Sequence, residues 1–220
     1  MIIKAFIFDF DGVIVDTETC EYTAWKMIYE DKGAQLPIET WAPCLGTSND
    51  AFDPAIHLEK ILGKPQNHHE LWSLHRKIAD RLVQNQPLQP GVSDYIGYAQ
   101  NMGIRLAIAS TSDRPWIQRH FDRLQIEHLF PVVITSEFVT RVKPFPDLYL
   151  TALSHLNIRS DEAIAFEDSP HGISAARSAG IYTVALRTPI SQVLDQSHAN
   201  LVLNSLADLS PQGLIQSLPN

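Results

Sequence analysis

Ile2-Ile3-Lys4-Ala5-Phe6-Ile7-Phe8-Asp9-Phe10-Asp11-Gly12 is a short apolar run that ends abruptly on two carboxylates and a glycine. Its continuous apolar character fits a strand covered on both faces. Comparable runs recur at Ile104–Ala109, Val132–Thr135, Ala163–Phe166, Ile181–Leu186 and, more weakly, Leu201–Leu203. The stretches Pro115–Leu124, Pro146–Leu156 and Pro170–Gly180 lie between them, each opening on a proline followed by good helix formers, as helix starts do. Repeated βα units of this kind predict an α/β protein on a parallel sheet.

One segment breaks the alternation. From Thr17 to about Gln84 there is no good strand, but Tyr22, Trp25, Ile28 and Tyr29 share a helical face, and Leu71, Leu74, Ile78 and Leu82 recur at i, i+3, i+7 and i+11. A helical insertion after the first strand is the economical reading. Val15-Asp16-Thr17 would lead out to it and Gln86-Pro87-Leu88-Gln89-Pro90-Gly91 back, the latter with the composition of a stiff hinge. The expected division is a core from residues 1–15 and 88–220 and a helical domain from 16–87.

Composition narrows the partners. The 220-residue chain is 45% hydrophobic and 19% charged, ordinary for a globular protein, and has no run near the roughly 18 apolar residues a membrane span needs. The N-terminus starts on strand-like sequence in place of a charged leader, so a cytoplasmic protein with no membrane partner is expected, and a monomer is the default. Cys20 and Cys44 are too few for a disulfide framework. A net charge of -8 argues against nucleic acid, and any anionic ligand must be held by a metal or a few chosen cations.

In open parallel sheets ligands bind beyond the carboxyl ends of the strands, so polar residues there carry most information. Asp9 and Asp11 are two apart and point the same way if extended geometry persists. Ser110-Thr111-Ser112 follows the second run, Lys143 the third at a short distance, and Glu167-Asp168 the fourth. Buried acids so close together repel unless a cation joins them. Taken singly, each has a plainer reading: a turn at Asp11-Gly12, a helix cap at Ser110–Ser112, a solvated lysine, acidic helix-start residues. Their joint occurrence favours a site. His68, His69 and His75 lack thiol or acidic partners at ligand spacing and read as polar helix surface, not a zinc site. Trp25, Trp72 and Trp116 read as core, whereas Trp41, near the turn at Gly46, is a candidate substrate contact.

The segments Asp9-Phe10-Asp11-Gly12-Val13-Ile14-Val15-Asp16-Thr17-Glu18, Ser110, Lys143-Pro144 and Glu167-Asp168-Ser169-Pro170-His171-Gly172 together resemble the four motifs of the haloacid dehalogenase-like (HAD) phosphohydrolases, in order and across the chain. The helical insertion is similar to the small cap of the β-phosphoglucomutase-like phosphatases. The resemblance implies a Rossmann-like HAD core with an all-helical cap after the first strand. It makes Asp9 the nucleophile, Asp11 the general acid and base, and Ser110 and Lys143 the stabilisers of the phosphoryl group. Mg²⁺ would be held by Asp9, the main-chain carbonyl of Asp11 and Asp168, with Glu167 bound to it directly or through another ligand. Gly12, Glu21, Gly46 and Thr111 would face a small phosphorylated metabolite, and Arg114, four residues past Ser110, would reach either that substrate or open solvent. Carbon–halogen hydrolases of the family lack an acid at the position of Asp11, so phosphoryl transfer is favoured. Phosphohexose mutases carry a cap histidine where Glu21 stands and a cap lysine where Leu45 stands, so a phosphatase is expected over a mutase. A catalytically silent binding module should have lost a motif residue, and none is missing.

Overall fold

A computed structural model describes residues 2–45 and 52–219. The elements run β1 (Ala5–Phe8), α1 (Thr17–Asp31), α2 (Ile38–Trp41), α3 (Pro54–Leu62), α4 (His68–Val83), α5 (Val92–Met102), β2 (Arg105–Ala109), α6 (Arg114–Leu124), β3 (Val132–Ile134), α7 (Asp147–Leu156), β4 (Ala163–Glu167), α8 (Pro170–Ser178), β5 (Tyr182–Leu186), β6 (Leu201–Leu203) and α9 (Pro211–Gln216). The six strands form one parallel sheet in the order β3-β2-β1-β4-β5-β6. Order reverses between β1 and β4, the point where ligands settle in such sheets.

The period-two alternation of the strands sorts large from small side chains. Phe6, Phe8, Leu106, Ile108, Ile164 and Phe166 face α5, α6 and α9. Phe8 lies opposite Phe166 in register, their rings stacked at 4.7 Å. The intervening Ala5, Ile7, Ala107, Ala109, Ala163 and Ala165 face α7 and α8. Alanines on this side let the two helices approach closely, which brings the chain before α7 and the start of α8 to the same end of the sheet.

Between β1 and α5 the chain makes the helical cap. Trp25, Ile28 and Tyr29 of α1, Leu58 of α3 and Leu71 of α4 form a core of their own. Asp16 caps α1 by accepting from the Thr19 N–H at 3.1 Å. The outgoing and returning segments meet where the Gln89 N–H donates to the Ile14 carbonyl at 2.9 Å. The α4 helix forms as its periodicity predicts, but its buried face is Leu71, His75, Ala79 and Val83, while Leu74 is 44% exposed. The cause is aromatic: the His75 ring stacks on Trp25 at 4.6 Å and meets Trp72 edge-on, which turns the helix by about one position. His75 therefore belongs to the cap interior and not to a polar surface. No disulfide joins Cys20 and Cys44, and no described helix is long and apolar enough to cross a membrane.

Candidate active site

Asp9 sits on the first residue past β1, its N–H still donating across to the Phe166 carbonyl of β4 at 2.9 Å. This single bond fixes the first acid beside the pair Glu167 and Asp168. One oxygen from each of the three carboxylates lies within 4.8 Å of the others, and all three residues are buried. The Lys143 ammonium closes the group, 2.7 Å from Asp9 Oδ1 and 2.6 Å from Glu167 Oε1, and the Tyr149 hydroxyl also donates to Glu167.

The electrostatics of this cluster are unfinished without a further cation. Three carboxylates face one ammonium, leaving two negative charges in excess. Burial raises the Asp9 carboxyl to about 8; Lys143 opposes the rise, and Glu167 and Asp11 add to it. Burial, with the repulsion of Asp9, Glu18 and Glu167, also holds Asp168 well above the usual carboxylate range. Lys143 is penalised by burial, but the two carboxylates beside it more than offset this and keep it charged. Asp168 Oδ2 and Glu167 Oε2 are buried with no hydrogen-bond partner. Hard, unpartnered oxygens of this kind suit a divalent cation such as Mg²⁺. Two glycines make the room. A Cβ on Gly12, whose φ is +77°, would stand 2.2 Å from Asp168 Oδ2, and one on Gly172 would stand 1.9 Å from Glu167 Oε2.

Asp11 is held apart from that cluster. Its Oδ1 accepts from the Thr17 hydroxyl at 2.6 Å and the Trp116 indole N–H at 2.8 Å, and its Oδ2 from the Ser112 hydroxyl at 2.5 Å. The carboxylate is thus aimed at α1 and α6, leaving its main-chain carbonyl as the group that could join the acids. Ser110 is buried under the neighbouring loop; its Oγ accepts from the Ser112 N–H at 3.0 Å and donates to nothing among the described residues.

Above these groups lies a cavity of about 590 Å³, with Asp9, Asp11 and Asp168 at one end. Thr111 and Glu21 line it, where the sequence suggested substrate contacts. Burial pushes the Glu21 carboxyl up to about 7, with Asp11 and Asp80 adding to the rise and Arg119 opposing it. Arg114 is not brought to the cavity: it donates to Gln118 and Glu127 on the outer side of α6, because two acceptors there satisfy it. Gly12 acts through the space it leaves for Asp168 and does not line the cavity, and Gly46 lies outside the described residues. Trp25, Trp72 and Trp116 pack into or against the hydrophobic cores, as read from sequence, and in addition line the cavity with Trp41. Helical periodicity identifies the buried face but not whether that face closes on a neighbour or on a void. Tyr149 and Ser112 also went unnoticed as supports for Glu167 and Asp11; only the Ser110–Ser112 cluster carried a hint.

Comparison with known proteins follows this geometry. A family model described as haloacid dehalogenase-like hydrolase matches residues 6–186. The chain is 37% identical to "Putative phosphatase YhcW" of Bacillus subtilis (strain 168), over 98% of each chain. It is 32% identical to the beta-phosphoglucomutase of the same organism, over 94% of this chain and 92% of that one. Among solved structures it is similar to CbbY from Rhodobacter sphaeroides in complex with phosphate, with a TM-score of 0.74 and 25% identity, covering 97% of this chain and 100% of that one.

Proposed function

The chain belongs to the haloacid dehalogenase-like hydrolase family, and on that footing we propose that it is a phosphatase of the β-phosphoglucomutase-like subgroup. In this reading it hydrolyses a small phosphate monoester, works as a cytoplasmic monomer and requires Mg²⁺. The observation that carries the proposal is the meeting of Asp9, Glu167 and Asp168 around the Lys143 ammonium at the switch point of the sheet.

Asp9 attacks phosphorus; the new O–P bond forms as the ester O–P bond breaks, giving an aspartyl-phosphate. Asp11 protonates the departing alkoxide, then takes a proton from the water that attacks the phosphoryl group and releases Asp9. Lys143 offsets negative charge on the nucleophile and the phosphoryl oxygens, and Ser110 would donate its hydroxyl to one of them. Mg²⁺, held by Asp9, Glu167, Asp168 and the Asp11 carbonyl, would supply the remaining positive charge that this group needs. The cap, taken as residues 16–87, would close on its two linkers and shield the aspartyl-phosphate from bulk water before the alcohol has left.

A phosphomutase is the competing reading, favoured by the 32% identity to the beta-phosphoglucomutase. Against it stand Glu21, a carboxylate on the cavity wall, and the neutral Leu45 beside it. Incubation with an aryl phosphate should release phosphate only with Mg²⁺, and Asp9→Asn should abolish release while leaving the fold intact. Undiminished hydrolysis by folded Asp9→Asn contradicts the proposal. Following sugar-phosphate isomer and free phosphate in one reaction separates phosphatase from mutase.

A further inference from the structure

The cavity has a sharp chemical bias away from the phosphoryl end. Its cap side carries Trp41, Phe52, Trp72 and the carboxylate Glu21, while Glu18 and Trp116 line it close to the acids, Glu18 near enough to repel Asp168 and Trp116 bonded to Asp11. No lysine, arginine or histidine lines it among the described residues. The cap bases Lys26, Lys32, Lys60, Lys64, Arg76, Lys77 and Arg81 are all exposed, on helix surfaces or at helix ends and loops. The nearer cations are spent elsewhere: Arg119 pairs with Asp80 at 2.8 Å and Arg114 with Glu127.

Resting on the phosphatase reading, we propose that this cavity selects monophosphates of a hydroxyl-bearing ring that is neutral or carries an amine, and rejects substrates with a second anionic group. The aromatic walls offer flat apolar surface to the C–H faces of such a ring. The carboxylates accept from its hydroxyls or from an ammonium, and a volume of about 590 Å³ holds one ring with its phosphate. A second phosphate or a carboxylate would enter beside Glu21 with no lysine or arginine on the described lining to meet it. Discrimination of this kind comes as much from repulsion of the wrong ligand as from attraction of the right one. Burial, with Asp11 and Asp80 adding to it and Arg119 opposing, holds the proton on Glu21 more tightly than usual, and His75, 3.3 Å from its Oε2, is kept neutral by its own burial, so the repulsion strengthens as pH rises.

The test compares glucose 6-phosphate, glucosamine 6-phosphate, glucose 1,6-bisphosphate and 6-phosphogluconate on one Mg²⁺-loaded preparation at pH 8, with 4-nitrophenyl phosphate reporting the chemistry alone. The first two should exceed the last two in kcat/KM by on the order of 100-fold, as expected for like charges brought together in a pocket. Glu21→Lys should narrow that ratio by about 10-fold, and a ratio of rates does not depend on how much of the variant folds. Hydrolysis of the bisphosphate or the gluconate ester at rates equal to the neutral sugar, with the aryl ester turned over, overturns the inference and leaves the phosphatase reading standing. If no ester is hydrolysed, the phosphatase reading fails by itself. Quenching of the cavity tryptophans by the four sugar esters then decides the selectivity: tighter binding of the neutral and amino esters supports it, and equal or tighter binding of the dianionic pair refutes it.

Discussion

Replacing Gly172 by alanine should cost this protein more than the methyl group suggests. The added Cβ would lie 1.9, 2.1 and 2.2 Å from Oε2, Cδ and Oε1 of Glu167, so the carboxylate must retreat by about 1.5 Å to reach ordinary contact at 3.4 Å. It has nowhere to go: Glu167 is fully buried, tied to Lys143 at 2.6 Å and to the Tyr149 hydroxyl. Overpacking of a filled site costs about 1–3 kcal/mol, and breaking a buried ion pair about 3–5 kcal/mol. Partial relief of one by the other places the expected loss at about 2–4 kcal/mol, a fall in Tm of roughly 5–15 °C for a chain of this size. Gly97→Ala is the matched control. Gly97 lies inside α5 with no atom within 4 Å of its would-be Cβ, so the same substitution should stabilise by about 0.5–1 kcal/mol through helix propensity. Thermal unfolding of both variants, with and without Mg²⁺, reads the two signs. A Gly172→Ala protein as stable as the parent would refute the packing of Glu167 against α8 on which the site geometry depends.

Asp11→Asn should slow formation of the aspartyl-phosphate from alkyl phosphates by about 10²–10⁴ and from 4-nitrophenyl phosphate much less, since a phenolate leaves without a proton; equal losses on both in this single-turnover step would exclude the acid role. Trp116→Phe removes one of three donors to Asp11 and should cut kcat on alkyl phosphates by several-fold in steady-state assays, and an unchanged kcat would exclude a part for this bond in holding the acid. The metal-free protein should lose stability between pH 6.5 and 8. Asp9 and Glu21 hold protons more tightly folded than unfolded, so their contribution is present below pH 4 and disappears as pH rises through about 8 and about 7. Mg²⁺ should flatten that slope, and a denaturation midpoint that rises with pH across this window would contradict it. His75 and His120 act oppositely: burial lowers both to about 4, so their contribution is present above 6.5 and is lost as pH falls toward 4. Acid unfolding of His75→Gln should be shallower than that of the parent.

The parallel sheet was readable because its strands carry a doubly buried pattern that few other elements share, and every predicted run pairs in the sheet. The acids at strand ends were readable for a related reason: charge placed at the end of an apolar run has no structural motive. Side-chain direction was not readable. Arg114 stands four residues past Ser110 whether it faces a substrate or Glu127, and only the packed positions of Glu127 and Gln118 decide. The tryptophans illustrate the same limit, since an indole on an apolar face fills a core or walls a cavity with identical spacing. His75 shows a polar residue recruited to an apolar face by a stacking partner distant in sequence.

The central claim is that Asp9 receives the phosphoryl group within the Lys143, Glu167 and Asp168 cluster. Acid quench of the Mg²⁺-loaded enzyme during turnover, followed by mass spectrometry of its peptides, tests it most directly. The account predicts one phosphoryl group on the peptide carrying Asp9, absent without Mg²⁺ and absent in Asp9→Asn. Turnover with no phosphoryl on that peptide, or with the group on another residue, would contradict it.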